Sequence, residues 1–309
     1  MSQGQQPAGA CNLCGSRRFT LRFPAREDHS GGASWRAFRC THEGYGSHGD
    51  IVRCDGCGLL FAYPCPPAAE IEARYQAVED PLYEAEREGR VATFERHLHV
   101  LQRHTGPPAG RRLLDVGAYT GVFVEQALRA GWDAVGLEPS AWAVRTARAR
   151  SLPVVQGLIR NPPFPLRSFD VVTLWDVIEH LTDPRGAMRA CGELLRPGGW
   201  MVVHTMDAGS PAARLLGKRW PWLMEMHLFY FDRQTLERML SAAGFEPVDT
   251  RPRGRRLRLR YLATRVAAFS PRLGWLFEAM LRLVKLEHVA VPISMGDLIT
   301  CHARHREIW

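Results

Sequence analysis

The chain has 309 residues, 46% of them hydrophobic and 23% charged, enough for a core α/β domain plus a small module. Forty basic against 32 acidic residues leave a formal charge of +8, which favours anionic partners without choosing among nucleotides, nucleic acid and lipid surfaces. No run approaches the roughly 18 apolar residues of a membrane span, and MSQGQQPAGA at the start lacks the features of a secretion signal. These readings make the expected location cytoplasmic, where eight cysteines are better explained by metal binding than by disulfides.

Residues 1–65 are rich in Cys, Gly and Arg and lack an apolar run long enough for a core of their own. Cys11-x2-Cys14 and Cys54-x2-Cys57 are two knuckles, each followed by glycine, and four thiolates so paired suit a tetrahedral, structural zinc site. The gap between the knuckles is long for a zinc ribbon, and it contains Cys40 and His42 as alternative ligands. Cys65, Cys191 and Cys301 have no such partner and read as ordinary thiols. The stretch Ser34 to Arg39 is basic and aromatic, so the module could touch nucleic acid; the plainer expectation is a fold staple.

Residues 66–110 read as a helical linker or cap, with a break at Asp80-Pro81 and an end at Gly106-Pro107-Pro108. From Arg111 onward strands and helices alternate, as in parallel α/β architecture. The strands begin at Leu113 to Val116, Ala134 to Leu137, Val154-Val155, Phe169 to Leu174 and Trp200 to His204. A helix over Ser140 to Arg150 starts at a Ser140 cap. A second spans Asp232 to Ala243, and Phe245 to Val248 with Asp297 to Ala303 suit a terminal antiparallel pair.

The segment LLDVGAYTG, Leu113 to Gly121, runs a strand into a glycine-bearing turn that opens a helix. Such a turn sits where open α/β sheets bind ligands, and its Gly-x3-Gly spacing is unlike the dinucleotide fingerprint. Glu138, at the end of the second strand, can accept both hydroxyls of a ribose. Asp115 stands where a negative charge would meet a ligand ammonium.

Together with GLEPS (136–140), SFDVVTLWDVIEHLTDP (168–184), LLRPGGWMVV (194–203) and HLFYFDRQTLERMLSAAGF (227–245), this pattern resembles the class I S-adenosylmethionine-dependent methyltransferases. The resemblance covers roughly residues 111–250 and implies a doubly wound, seven-stranded, Rossmann-like sheet with a zinc-ribbon-like module in front; the domain is expected to run over residues 111–309, with a helical insertion at about 252–290. The resemblance also implies cofactor contacts from Asp115, Gly117, Ala118, Tyr119, Gly121, Glu138 and Pro139, and from Trp175, Asp176 and Val177 on the methionine side. The chain departs from the commonest pattern at Tyr119, where the middle glycine usually stands, and at Gly157-Leu158, where an acid near the adenine is usual.

Methyl transfer needs a positioned acceptor and often a base. His180 follows the fourth strand, and His227 closes the aromatic, methionine-rich run Trp220 to Met226; Glu225 is the candidate to orient His227. The expectation is methylation of a small or glycan-related acceptor at oxygen. The alternatives are a sugar C-methyltransferase, an RNA methyltransferase that recognises its substrate through the zinc module, and a scaffold that binds the cofactor without turnover; nucleic acid is the less favoured partner. Arg251 to Arg265 carries seven arginines, either a solvated face or a lid for phosphate groups. The apolar helix at Leu273 to Leu286, with basic neighbours, could rest on a membrane surface, pair two copies or cover the substrate.

Overall fold

The computed structural model describes residues 9–26, 38–41 and 46–306. In chain order the first elements are β1 (Phe19–Phe23), β2 (Ile51–Cys54), β3 (Leu60–Ala62), α1 (Ala68–Gln76), α2 (Pro81–Ala85) and α3 (Arg87–Thr105). The central ones are β4 (Arg112–Val116), α4 (Val122–Arg129), β5 (Asp133–Glu138), α5 (Ala141–Arg148), β6 (Val154–Gln156), β7 (Phe169–Trp175), α6 (Pro184–Leu194) and β8 (Leu195–Met206). The chain continues with α7 (Pro211–Leu216), β9 (Phe229–Tyr230), α8 (Arg233–Ala242), β10 (Phe245–Pro252), β11 (Arg255–Arg258), α9 (Leu259–Phe269), α10 (Pro271–Leu283), β12 (Ala290–Ile293) and β13 (Leu298–His305).

Seven strands form the central sheet in the order β10-β13-β8-β7-β4-β5-β6. β4 through β8 run parallel, and β13 is inserted antiparallel between β8 and β10. Successive strand residues enter opposite cores, as the two-residue period of a strand requires. Leu113, Val171 and Val202 pack with Leu98 of α3 and Phe123 of α4. Their neighbours Leu114, Val172 and Val203 pack with Met188 of α6 and Leu236 of α8. Both faces are therefore covered, which is why these strands read as continuous apolar runs. Ser140 caps α5 by accepting from the Ala143 amide at 3.1 Å, and Asp232 caps α8 through the Thr235 amide at 2.7 Å.

The N-terminal strands make a second sheet in the order β1-β2-β3-β9. Its last strand belongs to the late segment of the chain: Leu60 pairs with Tyr230 and Phe61 with Phe229. The Phe61 and Phe229 rings stack at 6.1 Å, and the Asn12 amide donates to Asp183 at 2.8 Å, tying the module to the start of α6. A segment with too few apolar residues for its own core thus borrows a strand and a core surface. Between β10 and β13 the chain inserts a β11–β12 hairpin carrying α9 and α10. Among the described residues no helix is long and apolar enough to cross a membrane.

Candidate functional site

The turn after β4 is built from backbone constraints. Gly117 has φ +72°, and a Cβ there would lie 2.5 Å from Val177 Cγ2, so no side chain fits. Gly121, at φ +75°, starts α4 against Leu152. Tyr119 takes φ +49°, a strained conformation for a bulky residue, and its ring is held edge-on to Tyr83 at 4.5 Å. Its amide donates to Glu138 Oε2 at 2.9 Å, and the Ser140 amide donates to Oε1 at 2.8 Å. Glu138 therefore pins the turn that follows its own strand to the turn that follows the neighbouring one. Burial pushes its carboxyl up to about 7 against the pull of those two amides. Asp115 accepts the Thr173 hydroxyl at 2.7 Å, and burial raises it to about 8.

These turns open into a cavity of about 840 Å³ at the C-terminal ends of the parallel strands. Gly117, Tyr119, Glu138, Pro139, Trp175, Asp176 and Val177 all line it; Ala118 and Gly121 lie behind the turn. The volume is near the top of the roughly 300–1,000 Å³ usual for small-molecule sites, room for a nucleoside cofactor and an acceptor together. Tyr75 Oη, Tyr119 Oη, Trp175 Nε1 and His204 Nε2 are buried here without a hydrogen-bond partner. Bare glycine backbone, a carboxylate at the strand end and orphaned donors suit a nucleoside-type ligand.

Two histidines also line the cavity. His180 follows β7 on a single 3-10 turn, and His227 precedes β9. Their rings are 4.9 Å apart. His180 Nδ1 donates to the Met226 carbonyl at 2.9 Å and His227 Nδ1 to the Trp222 carbonyl at 2.7 Å. A carbonyl only accepts, so each Nδ1 carries the proton and each Nε2 keeps its lone pair. Burial, then the neighbouring His180, lowers His227 to about 3, and burial also lowers His180. Glu179, fully buried, accepts the Thr205 hydroxyl at 2.9 Å, and burial followed by Asp176 raises it to about 8. Ligand atoms of Glu179, His180 and His227 lie within 4.8 Å of one another, so the trio could hold a metal ion.

Glu225 does not orient His227. It is half-exposed and bonds Arg74 of α1 at 2.9 Å, because the chain turns between Met224 and His227 and sends the two side chains apart. The main-chain carbonyl of Trp222 takes the orienting position. Two further features carry no signal in the sequence: Arg255, which bonds Asp176 at 2.5 Å, and the stack of His97 on Trp175 at 4.8 Å beside His204. Of the arginine-rich segment, Arg255 and Arg256 reach the cavity wall.

The four knuckle cysteines converge: Cys11 Sγ is 3.5 Å from Cys57 Sγ and Cys14 Sγ is 3.5 Å from Cys54 Sγ, with all four within 4.8 Å. Thiolates tetrahedral around zinc at ~2.3 Å would stand about 3.8 Å apart, so the set fits that ion. Gly15 and Gly58, at φ +76° and +83°, allow each knuckle to turn back on its first cysteine. Cys40 is not among them and lines the cavity, whereas His42 and Ser34 to Ala37 lie outside the described residues. Another cluster, His104, Asp249 and His302, sits at the end of α3; Arg251 and Arg253 already bond the Asp249 carboxylate, so it reads as an ion-pair network.

Comparison with known proteins decides the family. The family described as "Methyltransferase domain" matches residues 83–250, just over half of the chain. The chain belongs to that family. It is a class I S-adenosylmethionine-dependent methyltransferase. Among curated proteins, it is 33% identical over 115 residues to a ubiquinone biosynthesis O-methyltransferase of Albidiferax ferrireducens, covering 34% of this chain and 44% of that one. It is 35% identical over 118 residues to the protein of that name in Ralstonia nicotianae, covering 35% and 48%. The methyltransferase thus spans about half the length of the curated relatives it matches. Among solved structures, an S-adenosylmethionine-dependent methyltransferase from Thermotoga maritima matches with 18% identity and a TM-score of 0.48, covering 73% of this chain and 94% of that one. One from Mesorhizobium loti matches with 18% identity and a TM-score of 0.46, covering 67% and 96%.

Proposed function

We propose that this methyltransferase methylates a hydroxyl of a small, ring-bearing or partly apolar acceptor, glycan-related molecules included, with His227 as general base. The observation that carries the reading is His227 in the cavity wall, its Nδ1 held by the Trp222 carbonyl so that Nε2 is the proton-accepting nitrogen, with aromatic and methionine side chains beside it. Tyr75, Trp222, Met224 and Met226 surround the histidine pair. The relatives' name, with its O-methyltransferase activity, supports oxygen as the receiving atom.

In this reading Glu138 accepts the ribose hydroxyls, Gly117 lets the ligand lie against backbone, and Asp176 offers negative charge to its amino-acid end, while Asp115, raised to about 8 and bonded to Thr173, holds the end of β4 behind the cavity wall. S-adenosylmethionine, when bound, supplies an electrophilic methyl on a sulfonium. His227 takes the acceptor's proton at Nε2 while the Trp222 carbonyl holds the ring by Nδ1, and His180 packs beside it to fix its plane. Tyr75 and Trp222 exclude water around the pair. The four knuckle cysteines hold a structural zinc, and residues 1–65, 66–110 and 111–309 act as module, cap and catalytic domain. A screen of acceptors with methyl-labelled cofactor tests the reading; label on phenols or hydroxylated rings is expected, and transfer to RNA alone would end it.

A second reading has a specific observation behind it: Glu179, His180 and His227 are close enough to hold a divalent ion that would bind the acceptor oxygen directly. Activity surviving exhaustive chelation, with the zinc module intact, favours the base reading.

The pH profile follows from the buried histidine. With His227 at about 3, the neutral, proton-accepting form persists across the physiological range, and it is lost only as pH falls through that value. kcat at saturating substrates should therefore show no acid limb between pH 5 and 8. An acid limb near 6.5, the value of an unperturbed imidazole, would count against His227 as base. Glu138 is shifted the other way: raised to about 7, it gains its charge only as pH rises through that value, so cofactor affinity should increase from pH 6 to 8.

A further inference from the structure

The insertion that walls the cavity also bears more than half of the exposed large hydrophobic side chains among the described residues. Leu273, Leu276, Met280 and Leu283 recur at helical spacing along one stripe of α10 and are 51–83% exposed. Trp275, beside them, is 68% exposed, and of α10 only Gly274 and Leu281 are buried. Gly274 is pressed against Ala267 of α9, so α10 is held on one side and bare on the other. Soluble surfaces rarely leave so continuous an apolar stripe without a partner.

Charge identifies the partner. Residues 251–289 contain ten basic and two acidic side chains, an excess equal to that of the whole chain. Several of these arginines are bound to carboxylates outside the insertion, but Arg260, Arg272 and Lys285 are exposed on and beside the helices. A second copy docked on this stripe would bring two such segments face to face, at a cost in repulsion. Nucleic acid would satisfy the arginines and leave the leucines and tryptophan in water.

We propose that α10 and its basic surround dock this methyltransferase on an anionic lipid bilayer, with the leucine stripe and Trp275 in the interface and the basic residues at the headgroups. Leu257, Tyr261, Ile293 and Met295 of the same insertion line the cavity. A consequence, which rests on the function proposed above, is that an acceptor with an apolar tail could reach His227 while still anchored in the bilayer.

The test is co-sedimentation of the full chain with vesicles of phosphatidylcholine alone or of equal parts phosphatidylcholine and phosphatidylglycerol. Binding should be about tenfold stronger to the anionic vesicles and should fall with added salt. The double substitution Trp275→Glu, Leu283→Glu should remove binding and leave cofactor affinity intact, since both side chains are exposed. Equal sedimentation with and without vesicles, binding unaffected by the double substitution, or a concentration-dependent dimer that Leu283→Glu dissolves would each overturn the proposal. None of these readouts uses methyl transfer, so a failed acceptor reading leaves the vesicle result standing.

Discussion

Replacing His227 with alanine should lower kcat by about 10²- to 10⁴-fold, the usual worth of a positioned general base, and leave the dissociation constant of S-adenosylmethionine within about twofold. The separation is expected because His227 and Glu138 lie on different elements of the cavity wall, before β9 and at the end of β5. His227 is held by the Trp222 carbonyl alone through Nδ1, so glutamine at 227 should recover part of the packing and none of the proton transfer. Stability should fall by about 1–3 kcal/mol, since the buried ring packs on His180, Trp222 and Tyr230 and its loss leaves the Trp222 carbonyl without a donor. Steady-state kinetics beside calorimetric cofactor titration gives both numbers. A variant with wild-type kcat would remove His227 from the chemistry and direct attention to the metal reading of Glu179 and His180.

The second large effect concerns the cysteine module. Cys54→Ser should lower Tm steeply, and with it turnover, because structural zinc supplies on the order of 10–16 kcal/mol in small zinc-bound folds. The link to catalysis is geometric. β3 pairs with β9, and β9 begins two residues after His227. The Ala62 amide also bonds the Leu228 carbonyl at 2.8 Å. Releasing the knuckles frees β2 and β3, and the strand that places His227 then loses its edge partner. Zinc content by mass spectrometry under native conditions, with Tm and kcat before and after chelation and zinc return, measures the effect. Full turnover at unchanged Tm in a zinc-free protein would contradict it.

Much of the fold could be read from the chain because its determinants are local. The acid–glycine turn at Asp115 to Gly121, the carboxylate at Glu138 and the alternation of strands with capped helices each depend on neighbours in sequence. Glu138 and Ser140 keep in the structure the places that their motif implies. What escaped reading depends on pairing at a distance. A two-residue strand such as β9 carries no periodicity, so its addition to the cysteine sheet leaves no trace in sequence. The choice between Glu225 and the Trp222 carbonyl as partner of His227 turns on main-chain direction within one loop. Arg255 on Asp176, and His97 between Trp175 and His204, join residues from α3, β7, β8 and β11 that only the sheet order brings together. Tyr119 was legible as a departure, but its packing on Tyr83 was not, since that contact needs the cap to fold over the turn.

In the proposed mechanism one cavity holds S-adenosylmethionine at Glu138 and presents the acceptor to His227. Calorimetric titration of the cofactor into the wild type, Glu138→Ala and His227→Ala tests it most directly. Loss of charge-assisted hydrogen bonds worth about 1.5–3 kcal/mol should weaken binding roughly 10- to 100-fold in Glu138→Ala, with His227→Ala indistinguishable from wild type. Unchanged affinity in a folded Glu138→Ala, or loss of affinity in His227→Ala, would contradict the account.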